Sequence, residues 1–200
     1  RQVSSAASDV YKRQDLNRTG KVFGGTILSK AIYMGANKLE TVNVLLDAGA
    51  SLDYLTFSGG SVLTAAVENE DSDPDVVRIV LEKLKSSCSP KEFSSIVNYK
   101  RTPTTLKWKG IYFVAKALYR TGVSKTGLMQ SLAIDSGTSA LNLAVIRGDV
   151  EIVNILLENG ANPYVENDLG MNAFELCEKS GPFPSVRKVL WKHARELVWE

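Results

Sequence analysis

The chain has 200 residues, 44% apolar, 23% charged and 8% aromatic, which describes one soluble domain able to bury a core and excludes collagen, a disordered tract and a disulfide scaffold. Its 24 basic and 22 acidic side chains leave a net charge of only +2, so the whole chain is no polycation, and no apolar run approaches the ~20 residues of a membrane span. Two cysteines (Cys88, Cys177) and a single histidine, His193, exclude most hydrolytic and metal chemistry and imply a reducing, intracellular and cytoplasmic setting.

Residues 1–14 have neither a signal-peptide core nor a period, and they are set aside as a non-native or disordered tail. With Arg1 at one end and a helical pattern still running at Glu200, the sequence reads as a piece of a longer chain. Thr26 opens a short helix through Ala31, and Val42, Leu45 and Leu46 line a second one that ends at Gly49-Ala50. Ser61 opens the next pair; Asp73-Pro74, a cap and a proline at the first helical position, starts a helix lined by Val76, Val77, Val80, Leu81 and Leu84. Ser89-Pro90-Lys91-Glu92 reads as a capping box before a short helix from Phe93 to Tyr99, and Lys100 to Thr105 is a loop.

From Leu106 to Thr121 the residues Trp108, Ile111, Tyr112, Ala115, Leu118 and Tyr119 fall within about 120° of a helical wheel, and Gly122 ends the helix. Ser124 caps a further helix to about Ile134. Ser139 opens a helix before Gly148, Ile152, Val153, Leu156 and Leu157 line the next before Gly160-Ala161, and Asn172 and Ser185 start the last two.

These elements repeat. Gly137 and Gly170 stand 33 residues apart at the start of matching segments, as do Gly24 and Gly59 at a spacing of 35, the surplus falling at Ala36-Asn37. The pattern resembles the ankyrin repeat, over Gly24 to about Leu84 and Gly137 to about Val198. The family's Thr-Pro-Leu-His run keeps its leucine position as Leu28, Leu63, Leu141 and Phe174, and its capping position as Thr26, Ser61, Ser139 and Asn172. Its histidine position holds Ser29, Thr64, Asn142 and Glu175, so an inter-repeat hydrogen-bond ladder must use weaker groups.

The resemblance implies an all-α, ankyrin-type α-solenoid of helix-turn-helix repeats with short β-hairpin connections. It divides the chain into two repeats (15–90), a basic helical insert or highly divergent repeat (91–134), and one full repeat with a terminal one (135–200). The insert holds eight basic residues against one acid, Glu92, a local balance of +7 that leaves the rest of the chain at −5. Since only Asp135, Ser136 and Gly137 lie between Ile134 and Thr138, a full hairpin finger does not fit there, and the finger ladder is expected to break at the insert.

The expected function is reversible, non-catalytic binding of another protein as a scaffold or adaptor, with no cofactor, metal or small-molecule substrate. The resemblance makes Tyr54, Phe57, Tyr164, Asn167 and Asp168 on the fingers, and Arg147 and Asp149 at a helix turn, the contact candidates. Packing of Tyr54 and Phe57 on a neighbouring finger is the competing reading. Lys109, Phe113, Lys116 and Arg120 recur at four, three and four, so they share a helical face that suits an anionic lipid surface or nucleic acid, or else is simply solvated. A further alternative is the regulatory part of a larger enzyme or channel. Lys125-Thr126-Gly127 and Ser185-Val-Arg-Lys188 match pieces of penicillin-binding motifs in the wrong order, by chance.

Overall fold

The computed structural model describes residues 15–21, 24–34, 38–68, 72–123 and 126–198. Among them, the expected tail, the surplus turn at Ala36-Asn37 and the Ser124 cap have no place; they lie outside the described residues. The helices in chain order are α1 (Ile27–Met34), α2 (Lys38–Asp47), α3 (Val62–Glu68), α4 (Pro74–Ser87), α5 (Pro90–Val97), α6 (Leu106–Thr121), α7 (Gly127–Asp135), α8 (Ala140–Arg147), α9 (Val150–Glu158), α10 (Ala173–Ser180) and α11 (Pro184–Val198). No described helix is long and apolar enough to cross a membrane.

The helix starts follow the capping chemistry. The Asp73 carboxylate accepts from the Asp75 amide, and Ser89 with Glu92, like Asn172 with Glu175, forms a complete capping box. Ser139 accepts from the Asn142 amide, and Asp149 from that of Ile152.

The helices stack in two layers. The first helices of the pairs form one row, α1 on α3, α3 on α8 and α8 on α10, and the second helices form the other, α2 on α4, α4 on α9 and α9 on α11. One core runs between the rows through Leu28, Leu63, Leu81, Leu141, Ile152, Leu156, Leu176 and Leu190, all fully buried. Burying each such leucine contributes about 1.5–3 kcal/mol. Small residues hold the tightest approaches, with Ala66, Ala144 and Cys177 buried in equivalent places. The array is therefore continuous: α3 packs directly on α8 and α4 on α9, although 71 residues separate Glu68 from Ala140. Helices α6 and α7 pack on each other and stand outside both rows as a hairpin.

The weaker groups at the family's histidine position divide their roles. Asn142 reaches the following connection, its amide donating to the Val165 carbonyl at 3.1 Å. The hydroxyls of Ser29 and Thr64 turn back to the carbonyls of Thr26 and Ser61 at 2.8 Å, and Glu175 is taken up in its capping box.

Candidate binding surface: the fingers and the inserted hairpin

Each turn that leads into a helix pair is pinned by a backbone bond in a corresponding place: Gly20 N–H to Gly25 O, Thr56 to Gly60 and Asn167 to Met171, at 2.8, 2.9 and 2.9 Å. In the remaining connection the equivalent bond joins Arg101 N–H to Thr138 O, 2.9 Å apart but 37 positions distant in sequence. The hairpin thus enters at the tip of a finger and leaves its base intact. An isolated antiparallel bridge, Leu55 to Ser61, is the β-hairpin character that remains among the described residues.

The expected break in the finger ladder does not occur. Thr104 N–H donates to Phe57 O at 3.2 Å, and Asp168 N–H donates to Ser136 O at 2.9 Å, so adjacent fingers stay bonded on both sides of the insert. Asn17 accepts from the Ser51 amide, and Asn98 accepts from the Asn162 amide in the corresponding place, both at 2.7 Å. Asp135, Ser136 and Gly137 are only the second arm of this finger, and its first arm is Asn98–Arg101, on the far side of the hairpin.

Tip residues cover glycines of the preceding finger. A Cβ on Gly59 would strike the Thr102 backbone, and one on Gly137 would strike Asp168; both glycines also have positive φ, +88° and +75°, which a side chain strains. Phe57 covers Gly24 in the same manner.

A buried charge cluster holds the hairpin's base. The Arg101 guanidinium is 3% exposed and donates to both oxygens of Glu68, at 3.1 and 2.9 Å, and to Asp135. Burial works against its positive charge, and the Asp135 and Glu68 carboxylates outweigh that, so its pKa is raised. Burial pushes the Asp135 carboxyl up against the pull of Arg101. The Tyr112 hydroxyl of α6 donates to the same carboxylate at 3.1 Å, and burial raises its own pKa to about 12. No local pattern marks Arg101, since its partners stand 33 and 34 residues away.

Most of the candidate contacts are occupied inside the molecule. Tyr54 is 8% exposed, with its phenol pKa raised to about 12 by burial, and Phe57 lies half-buried on Gly24. Arg147 donates to the Glu68 carbonyl at 2.8 Å, and Asp149 caps α9. Asn167, 3% exposed, donates to Ile134 O and accepts from the amides of Leu169 and Met171. Asp168 pairs with Lys116 at 2.6 Å and accepts from the Ser136 hydroxyl at 2.7 Å; burial raises its pKa, and these two partners outweigh that and lower it.

Of the four residues proposed for an anionic surface, Lys116 is thus spent on Asp168, and Arg120 donates to the Asp168 carbonyl at 3.3 Å. Lys109 and Phe113 point outward. The Lys179 ammonium lies 4.8 Å from the centre of the Tyr119 ring, so α6 reaches from the finger tips to α10. Tyr164 is uncovered, and its ring packs tilted against Phe174, which packs tilted against Trp191, with centroids 5.6 and 5.0 Å apart. Phe174 and Trp191 are not among the expected contacts: Phe174 holds the family's leucine position, and the pair forms only where α10 meets α11.

Residues 136–168, the stretch from one finger through α8 and α9 to the next, match the family model described as Ankyrin repeat. The chain belongs to the ankyrin repeat family. It is 28% identical over 145 residues to an ankyrin repeat-containing protein of Treponema pallidum (strain Nichols), covering 72% of this chain and 44% of that protein. It is 32% identical over 136 residues to a mitochondrial disaggregase of Bos taurus, covering 68% of this chain and 19% of that protein. The chain therefore spans less than half the length of these relatives. As an ankyrin-repeat array it offers the arrangement of a protein-interaction module: a rigid stack with exposed finger tips.

Proposed function

We propose that this ankyrin array is a non-catalytic unit that binds another protein reversibly, through the surface bordering its last repeats. The observation that carries the reading is the aromatic row Tyr164, Phe174 and Trp191, whose outer members are 54% and 49% exposed. Aromatic rings packed against one another offer contact area with little conformational entropy left to lose.

Away from this row, an earlier repeat adds a concave surface. A groove of about 690 Å³ runs between the Ala50–Leu55 finger and α5, lined largely by apolar and hydroxyl side chains. Its Glu92 carboxylate is taken up in the cap of α5. Cys88 and Cys177 are free thiols, which supports an intracellular setting. Division of the chain into repeats around an insert belongs to the same proposal, with the insert expected at 91–134 narrowed to the α6–α7 hairpin because α5 packs on α4 and Asn98–Arg101 is a finger arm. The regulatory-part reading draws only on the disaggregase relative, most of whose length this chain does not match.

The test is selection of peptide ligands from a random library on the immobilised chain, followed by calorimetry. Tyr164→Ala and Trp191→Ala should each weaken the selected ligands by about tenfold, on the order of 1.4 kcal/mol. Ligands indifferent to both changes would refute the aromatic row as the binding surface.

A further inference from the structure

Helix α6 is apolar on two opposite sides. One side, with Tyr112 and Ala115 buried, faces the hairpin partner and the array. The other carries Leu106, Gly110, Phe113, Val114 and Ala117, spaced four, seven, eight and eleven from the first, which places them on one outward stripe. Leu106 is 86% exposed, Phe113 70% and Val114 50%, and nothing in the described chain covers them. For a soluble fold this is a costly face to leave in water.

Two further features of the stripe go unexplained by the fold. Gly110 sits in the middle of a 16-residue helix, where glycine is disfavoured, yet a Cβ there would meet nothing within 4 Å. Internal packing gives no reason for it. With Leu106 before it and Phe113 after it, it leaves a notch into which another backbone can settle. The rims are basic: Lys107 flanks one edge and Lys109 and Arg120 the other, with no acidic residue on α6.

We propose that this outward face of α6 docks an amphipathic helix of a partner protein whose apolar stripe is bordered by acidic residues. The proposal rests on the protein-binding reading above and names a second surface for it. A notch between two large side chains complements the ridge of a helix, whereas a bilayer has no ridge to place there. A second copy of the chain would bring the same basic rims together, and like charges oppose that pairing.

The test titrates a labelled helical peptide, leucines on one face and glutamates along both edges, into the full chain by fluorescence anisotropy. A twin peptide carries lysine in place of every glutamate. The glutamate peptide should bind at least about tenfold more tightly than its twin, and the preference should shrink as salt screens the rims. Phe113→Ser and Leu106→Ser should each weaken it about tenfold while the circular dichroism and thermal midpoint stay unchanged. Gly110→Leu should weaken binding while raising the midpoint, a pair of opposite signs that structural damage does not produce. Lys107→Glu with Lys109→Glu should reverse the preference between the peptides.

No binding of either peptide, equal binding of both, or indifference to Phe113→Ser would overturn the proposal. So would a dimer that Phe113→Ser dissolves, which assigns the face to a second copy, or sedimentation with phosphatidylserine vesicles that the same variant abolishes, which assigns it to a membrane. Library ligands that need Tyr164 and ignore Phe113 would remove this docking face and leave the protein-binding reading standing.

Discussion

Between α9 and α10 the chain turns back within the loop from Asn162 to Asn172, while between α4 and α8 the same turn is opened to carry the α6–α7 hairpin. Both connections keep the same base bond, Asn167 to Met171 in the short one and Arg101 to Thr138 in the long one. Both also keep a tip residue over the preceding glycine, Asp168 on Gly137 and Thr102 on Gly59. The difference lies in how each is secured. Asn167 holds the short finger with neutral hydrogen bonds, to amides within four residues and to the Ile134 carbonyl of the preceding finger, whereas the long one depends on the Arg101 charge held between Glu68 and Asp135. Repeat stacking and finger decoration are thus separate problems, the first solved by apolar burial and the second by a buried charge cluster.

The sharpest way to break that separation is inside the stack. Leu141→Ala removes a side chain 1% exposed between α8 and its neighbours, and should lower the stability of the whole array by roughly 2–5 kcal/mol in urea denaturation. Hydrogen exchange should then rise in α3 and α10 together. An unchanged midpoint would mean that α8 is not a shared core element.

Arg101→Ala probes the other mechanism. It strands the Glu68 and Asp135 carboxylates around a buried position and should cost about 3 kcal/mol. Its signature should be early exchange of the α6–α7 amides, ahead of those in α8 and α9. Equal acceleration everywhere would show that the hairpin and the stack melt as one unit.

Alkaline pH separates the regions through tyrosine. The Tyr54 phenol ionises near 10.0 in the unfolded chain and near 12 when folded, so its contribution is complete below pH 10 and is lost as the pH climbs toward 12. That loss reaches about 2–3 kcal/mol for one buried hydroxyl. Tyr54→Phe should flatten this part of the stability profile for the first repeats, and Tyr112→Phe should do so for hairpin exchange alone. The smallest effect belongs to excision: replacing residues 106–132 by a short flexible linker, which keeps Thr104, Ile134, Asp135 and Ser136 in place, should leave the cooperative melt within about 1 kcal/mol. Loss of folding on excision would contradict the independence of the stack.

Much of this arrangement is legible in the sequence because it is local. Asp73-Pro74, Ser89 with Glu92, Ser139 and Asn172 each announce a helix within three residues, and the cap that is drawn is the cap that forms. The repeat spacing likewise identifies which helices stack. Arg101 is illegible because nothing near it distinguishes a buried guanidinium from an exposed one. The same holds for the ladder: its continuity depends on Asn98–Arg101 pairing with a segment beyond two intervening helices. The outward stripe of α6 is faint in the sequence because Phe113 falls in register with the basic face and Gly110 and Ala117 thin the apolar pattern. Tyr54 and Asn167 hold finger positions that bind partners in the family, and burial decides their roles here.

The base bond between Arg101 and Thr138 has a consequence for how such a chain can change over generations. A junction whose two ends lie one hydrogen bond apart imposes almost no geometric demand on what is spliced between them, beyond that it begin and end in the same place. Lengthening a closed loop adds only about 0.6 kcal/mol per doubling. A helical hairpin meets the condition at any even number of helices and any arm length, so the finger tip behaves as a socket. Its present occupant can be exchanged, trimmed or recoded for another partner while the scaffold beneath it goes on being inherited unchanged.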